Sequence, residues 1–169
     1  RTHSLNLSGA SNSIATLTTA AAASTITYNR AGDQTVFGSP NYRNLIVSGG
    51  GTKTMLEAVG VNNTLTLTSG VLKVGNYDLT LYNTTAIVGA PFSVTNMIET
   101  DGLGHFIRSA NATNQSFNLI YPVGSGGFYN ELIVSGLPTF AAAPRIFSVR
   151  AIPANPGVLT NSINKSWEL

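Results

Sequence analysis

The chain has 169 residues, only 9% of them charged, and its nine basic and seven acidic residues leave a formal net charge of +2. Because the cations are scattered singly and no aromatic residues are interleaved with them, the sequence gives no sign of a nucleic-acid groove. The chain contains no cysteine, which excludes a disulfide framework, thiol catalysis and cysteine metal sites. No run of 18 or more apolar residues predicts a membrane span.

Short strands dominate the first half of the sequence. Residues 63–68 and 78–82 alternate polar and apolar side chains, which places leucines on one face and threonines on the other. Turn clusters rich in Gly, Asn and Ser separate these segments. The one helix-like stretch, residues 19–23, is too short to nucleate a helix by itself. The pattern predicts an all-β fold.

The strands recur along the chain in a way that predicts stacked coils. Successive leading positions are Ile26, Leu45, Leu65 and Leu79, which gives intervals of 19, 20 and 14 residues. Ordering the backbone costs roughly 1–2 kcal/mol per residue, whereas each buried aliphatic side chain contributes only about 1.5–3 kcal/mol. A single coil cannot offset that cost, so coils must share their faces with neighbours. We therefore predict a parallel β-helix-like repeat segment over residues 1–94.

The texture of the sequence changes near Pro91. Strands of larger residues follow at 116–121, 130–134 and 145–150, and Pro122 with the glycine-rich run 124–127 separates two of them. This pattern predicts an antiparallel β-sandwich-like module over residues 95–169.

Several runs of the sequence resemble a repeat common in giant surface proteins of the Bacteroidetes phylum. The most specific run is Tyr28–Val36, which reads Tyr-Asn-Arg-Ala-Gly-Asp-Gln-Thr-Val. The resemblance continues through residues 65–72, 97–104 and 121–124 to Trp167, and so covers roughly residues 25–169.

This resemblance implies export by the type IX pathway, a place at the cell surface, and roles in adhesion, gliding or matrix building. It also implies parallel β-helix coils followed by a sandwich-like module. The sequence departs from the family at Arg30, where a small residue is usual, and at residues 55–57, which interrupt a run of small residues. The family's sandwich continues past the tryptophan, so we expect the module to be incomplete at its C-terminus and completed by further residues or by a neighbouring chain.

Two pairs of residues are candidates for binding. Tyr77 and Tyr82 lie near turns, where exposed aromatic rings can stack on sugars, so we take them as the candidate ligand-binding residues. Glu99 and Asp101 are two apart, which on a strand places their carboxylates on one face at about 7 Å. They are weak candidates for a metal site, because Asp101-Gly102 is also an ordinary turn signal. No catalytic residue and no cofactor are predicted.

The threonine rows suggest one more surface. Thr64, Thr66 and Thr68, with Thr80 on the next coil, are predicted to form a short outward ladder. Regular threonine ladders on stacked coils can order water or ice. The short rows and uneven coil lengths argue against a lattice match, and threonine is in any case a common residue on a solvated strand face.

Together these observations favour a non-catalytic, structural or adhesive segment of an extracellular bacterial surface protein. The first alternative is a subunit of an extracellular filament completed by strand pairing between copies, and the second is an accessory carbohydrate-binding module. The expected partners are neighbouring repeats or copies of the same protein, and polysaccharides or other surfaces, with no nucleic acid and no membrane span.

Overall fold

A computed structural model describes residues 3–17, 23–82, 85–110, 117–136, 145–152 and 166–168. All regular elements within these ranges are β-strands; most of the helix-like stretch at 19–23 lies outside them. The strands are β1 (Ser4–Leu7), β2 (Thr25–Tyr28), β3 (Gln34–Val36), β4 (Ser39–Val47), β5 (Thr52–Met55), β6 (Val59–Leu67), β7 (Val71–Lys73), β8 (Leu79–Leu81), β9 (Ala86–Val88), β10 (Ile98–Glu99), β11 (Phe106–Ala110), β12 (Phe117–Ser125), β13 (Phe128–Gly136), β14 (Arg145–Ile152) and β15 (Ser166–Glu168).

The strands form two sheets, and the chain alternates between them as it coils. Sheet A has the order β1-β2-β4-β6-β8-β11-β14-β15, with β9 also paired to β6, and sheet B has the order β13-β12-β10-β7-β5-β3. Pairing is parallel from β1 to β11 in sheet A and from β3 to β12 in sheet B. The predicted all-β class and the stacked parallel coils are therefore confirmed.

The core lies between the two sheets and follows from the period-two alternation. Leu45 and Leu65 are fully buried from sheet A, and Leu72 is fully buried from sheet B. Each of these side chains contributes about 1.5–3 kcal/mol on burial. A single cluster of buried residues extends from Ile26 to Val149 and joins the coils along the stack.

Two of the three predicted coil intervals are confirmed by the strand register. Ile26 pairs with Leu45, and Leu45 pairs with Leu65. The third prediction, Leu79 above Leu65, is wrong, because Leu79 pairs with Val59 and Ile87 pairs with Leu65.

The length of β6 explains this error. Its nine residues are long enough to accept two short strands in succession, β8 on its first half and β9 on its second. The Leu-Thr-Leu pattern of β8 matches either half of β6, so periodicity alone does not select the register. The predicted Thr80 ladder position is wrong for the same reason, since Thr80 pairs with Gly60.

Antiparallel pairing begins only at the end of the coil stack. β12 pairs antiparallel with β13, β11 with β14, and β14 with β15. Parallel pairing crosses the predicted division between residues 94 and 95, because Leu72 pairs with Ile98 and Ile98 pairs with Val123. The division into 1–94 and 95–169 stays a prediction.

A pair of buried tyrosines fixes one end of the core. The Tyr42 hydroxyl donates to the Phe37 carbonyl at 2.6 Å, so the 2.7 Å contact between the two hydroxyls has Tyr28 as its donor. The Phe37 N–H donates to the Tyr28 oxygen at 3.0 Å. Both rings are fully buried, and burial raises the pKa of both phenols.

Alkaline pH should therefore open the fold through these two tyrosines. In the unfolded chain a tyrosine ionises near pH 10, whereas the folded pKa of Tyr28 and Tyr42 is higher, so their contribution to stability is complete below pH 10 and falls as pH rises above it. Tyrosinate absorbance and far-ultraviolet circular dichroism should be followed together during a pH titration. Ionisation of all six tyrosines with the strand signal intact would contradict this prediction.

Candidate functional site

Lys53 is a buried lysine at the corner where the chain passes from sheet A to sheet B. It is 0% exposed, and its Nζ donates to the carbonyls of Arg30 at 2.8 Å, Gly32 at 2.6 Å and Gly50 at 2.6 Å. An ammonium group has three donors, and here all three are used. Burial lowers the pKa of Lys53, and these carbonyl contacts offset the cost of removing the charge from water.

Gln34 occupies the same inward position one coil earlier, since it pairs with Lys53 between β3 and β5. Its Nε2 donates to the carbonyls of Leu7 at 2.7 Å and Gly9 at 2.8 Å. Each of these two side chains thus binds carbonyls of the corner that precedes it in the stack. In the following coil the equivalent residue is Leu72, so this polar connection is confined to the first corners.

Sequence reasoning missed both residues, although a signal was present. Lys53 stands at an apolar position of the alternating strand Thr52–Met55, where a charged side chain requires burial with partners. Gln34 lies 19 residues earlier, which is the coil interval already found for Ile26 and Leu45.

A glycine-rich groove lies at the same corner. Gly49, Gly50 and Gly51 have φ values of 79°, 75° and 64°. Residues of three successive coils line a groove of about 320 Å³; they are Gly50, Gly51, Thr52, Ser69, Gly70, Val71, Val94 and Thr95. The Asp33 carboxylate closes the corner by accepting the Thr52 N–H at 2.8 Å.

Glu99 and Asp101 lie close together, as predicted, but a lysine lies between them. Lys73 Nζ is 2.8 Å from Asp101 Oδ2 and 3.3 Å from Glu99 Oε1. The hydrogen bond to Asp101 raises the pKa of Lys73, burial raises the pKa of Glu99, and the Lys73 contact holds the pKa of Asp101 below its usual value. The ammonium group occupies the position that a bound cation would need, so the pair acts as an ion pair between coils.

The predicted ligand-binding tyrosines are both exposed to solvent. Tyr77 is 42% exposed at the turn before β8, and Tyr82 is 37% exposed directly after β8. The Tyr82 ring lies over Gly60, where an added Cβ would stand 2.6 Å from its Cε2. The short strand β8 separates the two rings, so a ligand that contacts both must be extended. Their binding role stays a prediction.

The outer side of sheet A carries two side-chain rows that run in register across five coils. The outward positions of β1, β2, β4, β6 and β9 alternate with the buried ones, and register pairs place them in columns. The first row is Ser4, Thr25, Asn44, Thr64 and Ala86, and the second row is Asn6, Thr27, Ile46, Thr66 and Val88. None of the ten side chains is charged. We call this surface the flat face.

The nine-residue strand β13 forms the last strand of sheet B. It pairs with β12 along one edge, and within the described ranges no strand pairs with its other edge. Ile133 is 50% exposed, and Glu131 is the one charged residue of the strand. A long edge strand with little charge is a ready template for another strand.

The described residues contain no group of three or more His, Asp or Glu side chains that could hold a metal ion. Within the same ranges no helix is long and apolar enough to cross a membrane. Comparison of the chain with family models, with curated proteins and with solved structures finds no match.

Proposed function

We propose that the chain is a non-catalytic structural and adhesive segment of an extracellular bacterial surface protein. The observation that supports this proposal most directly is the continuous pairing of both sheets from coil to coil. Each coil adds about 4.8 Å of length, and its hydrogen bonds run along the stack, so the stack extends a surface outward and resists unfolding under load.

The corner contacts support the same role. Lys53 bonds carbonyls in two successive corners, and Asn63 Nδ2 donates to Asn44 Oδ1 of the preceding coil at 2.7 Å. These bonds tie each coil to its neighbour in addition to the backbone ladder. A chain that carries a mechanical load benefits from such cross-links, whereas a catalytic site has no need of them.

The proposal is tested on the cells that produce the protein. Antibodies against the purified chain should label the outer surface in immunogold electron microscopy, and the label should persist after the cells are washed. Mass spectrometry of the labelled material should report its intact size, which separates a segment of a larger protein from a 17.6 kDa chain. Label confined to the cytoplasm would overturn the proposal.

A second candidate function is a filament subunit, and the edge of β13 favours it. We propose that the antiparallel strands at the end of the stack belong to a sandwich-like module, and that a strand of a neighbouring copy pairs with β13. Such a head-to-tail contact does not close on itself and produces a filament. Sedimentation velocity of the purified chain should then show species that grow with concentration.

The variant Ile133→Lys tests this contact directly. A charge on the edge strand should reduce the association, because a lysine at an edge opposes pairing with a second strand. Val88→Lys, an equally exposed valine on β9, serves as the matched control and should leave association unchanged. A chain that stays monomeric at every concentration would rule out the filament.

A further inference from the structure

The flat face differs from the rest of the surface in its regularity. Coils of unequal length do not disturb it, because the extra residues between β9 and β10 lie at the corner, outside the rows. Neighbouring positions are about 4.8 Å apart across coils and about 6.8 Å apart along a strand. The sequence argument against a lattice match rested on short rows and uneven coils, and neither holds for this face.

Charge and area limit what the flat face can bind. A face without charged groups offers no attraction to an acidic or basic partner, so it suits an uncharged occupant. Its ten positions cover roughly 300 Å² at strand spacing, well below the roughly 800 Å² that each partner contributes to a stable protein interface. A second copy of this chain therefore gains too little area on this face.

The chemistry of the two rows suits ordered water. Thr27 and Thr66 lie in the same row, and no hydrogen bond within the described residues uses either hydroxyl. Each hydroxyl can donate once and accept twice, while the adjacent methyl group excludes disordered water. The β-branched side chains, which include Ile46 and Val88 in the same row, hold restricted χ1 angles, so the array is rigid before it binds.

We propose that the flat face binds ice. The water molecules of an ice surface are uncharged, periodic and fixed, which matches an uncharged and periodic array of hydroxyl and methyl groups. This inference rests on the proposed adhesive role, because it identifies what the segment adheres to.

The experiment measures partition of the purified chain into slowly grown ice, with serum albumin as the reference for passive inclusion. The wild-type chain should be enriched in the ice fraction and should inhibit ice recrystallisation. Thr66→Tyr should reduce the enrichment to that of albumin, because the bulky ring separates the face from the ice.

The same substitution at Thr54 is the matched control. Thr54 faces outward on β5 of the opposite sheet, so Thr54→Tyr should leave the enrichment unchanged. Urea unfolding of both variants identifies any loss of fold. Wild-type enrichment no greater than albumin, or equal losses in both folded variants, would overturn the ice proposal. So would retention on crystalline cellulose without enrichment in ice, which would assign the face to a polysaccharide.

These outcomes are separate from those of the cell-labelling experiment. Surface label with no ice enrichment leaves the structural role standing and removes the ice proposal. Cytoplasmic label removes the adhesive role, and the ice proposal with it.

Discussion

Replacement of Gly51 by alanine should destabilise the fold by about 3–5 kcal/mol, whereas replacement of the neighbouring Gly50 should cost only about 1–2 kcal/mol. Both residues have positive φ, 64° and 75°, so both variants carry the left-handed penalty of about 1–2 kcal/mol. They differ in the space around the new methyl group. A Cβ on Gly51 would overlap the backbone of Gly32, whereas a Cβ on Gly50 would meet no atom within 4 Å.

The additional loss in Gly51→Ala comes from separating two coils. Gly32 is the equivalent corner residue of the preceding coil, and its backbone cannot yield as a flexible side chain can. Forcing extra volume into a packed contact costs typically 1–3 kcal/mol, a large part of a total stability of about 5–15 kcal/mol.

Urea unfolding with a constant m-value measures the two losses. Gly50→Ala is the internal control for the backbone penalty, since it lies in the same turn. Equal losses in the two variants would mean that the approach of Gly51 to Gly32 contributes nothing to stacking.

The same corner explains which parts of the fold could be predicted from sequence. Gly32, Gly51 and Gly70 recur every 19 residues and all have positive φ. An added Cβ on Gly70 would lie 3.0 Å from the Gly50 carbonyl oxygen. The column therefore marks close contact between successive corners, and its period agrees with that of the leucine positions that predicted the stack.

Periodicity failed where the coils change length. Between Leu72 and Ile98 the sheet B interval grows from 19 to 26 residues, and a fixed interval cannot align such coils. It also could not show that β6 accepts two strands. The position of the flat face depends on that register, so sequence alone misplaced Thr80 while it identified Thr64 and Thr66 as outward residues.

The candidate sites were predictable to different degrees. The proximity of Glu99 and Asp101 followed from strand geometry, because residues two apart share a face. The lysine between them did not, because Lys73 reaches them only through the pairing of β7 with β10. Contacts that depend on long-range register carry no local signal in a single sequence.

Replacement of Lys53 by methionine should lower the free energy of unfolding by about 3–5 kcal/mol. Methionine keeps most of the volume but has no donor, so the carbonyls of Arg30, Gly32 and Gly50 lose a partner in a site closed to water. A buried polar group without a partner costs about 1–3 kcal/mol, and breaking a buried charged contact on one side typically costs 3–5 kcal/mol.

Lys73→Met is the matched control, because it removes a lysine whose ion pairs are partly exposed. The side chain of Lys73 is 34% exposed, and contacts of this kind contribute about 1 kcal/mol or less. The two variants make the same chemical change in strands that pair directly, so the difference between their urea midpoints isolates the effect of the buried corner.

Lys53→Gln tests the interpretation of the loss. Gln34 already bonds two carbonyls from the equivalent position one coil earlier, so glutamine at position 53 should restore part of the stability that methionine loses. Recovery in Lys53→Gln would assign the loss to unpaired carbonyls. Equal instability of the methionine and glutamine variants would instead show that the charge of Lys53, or the reach of its side chain, holds the corners together.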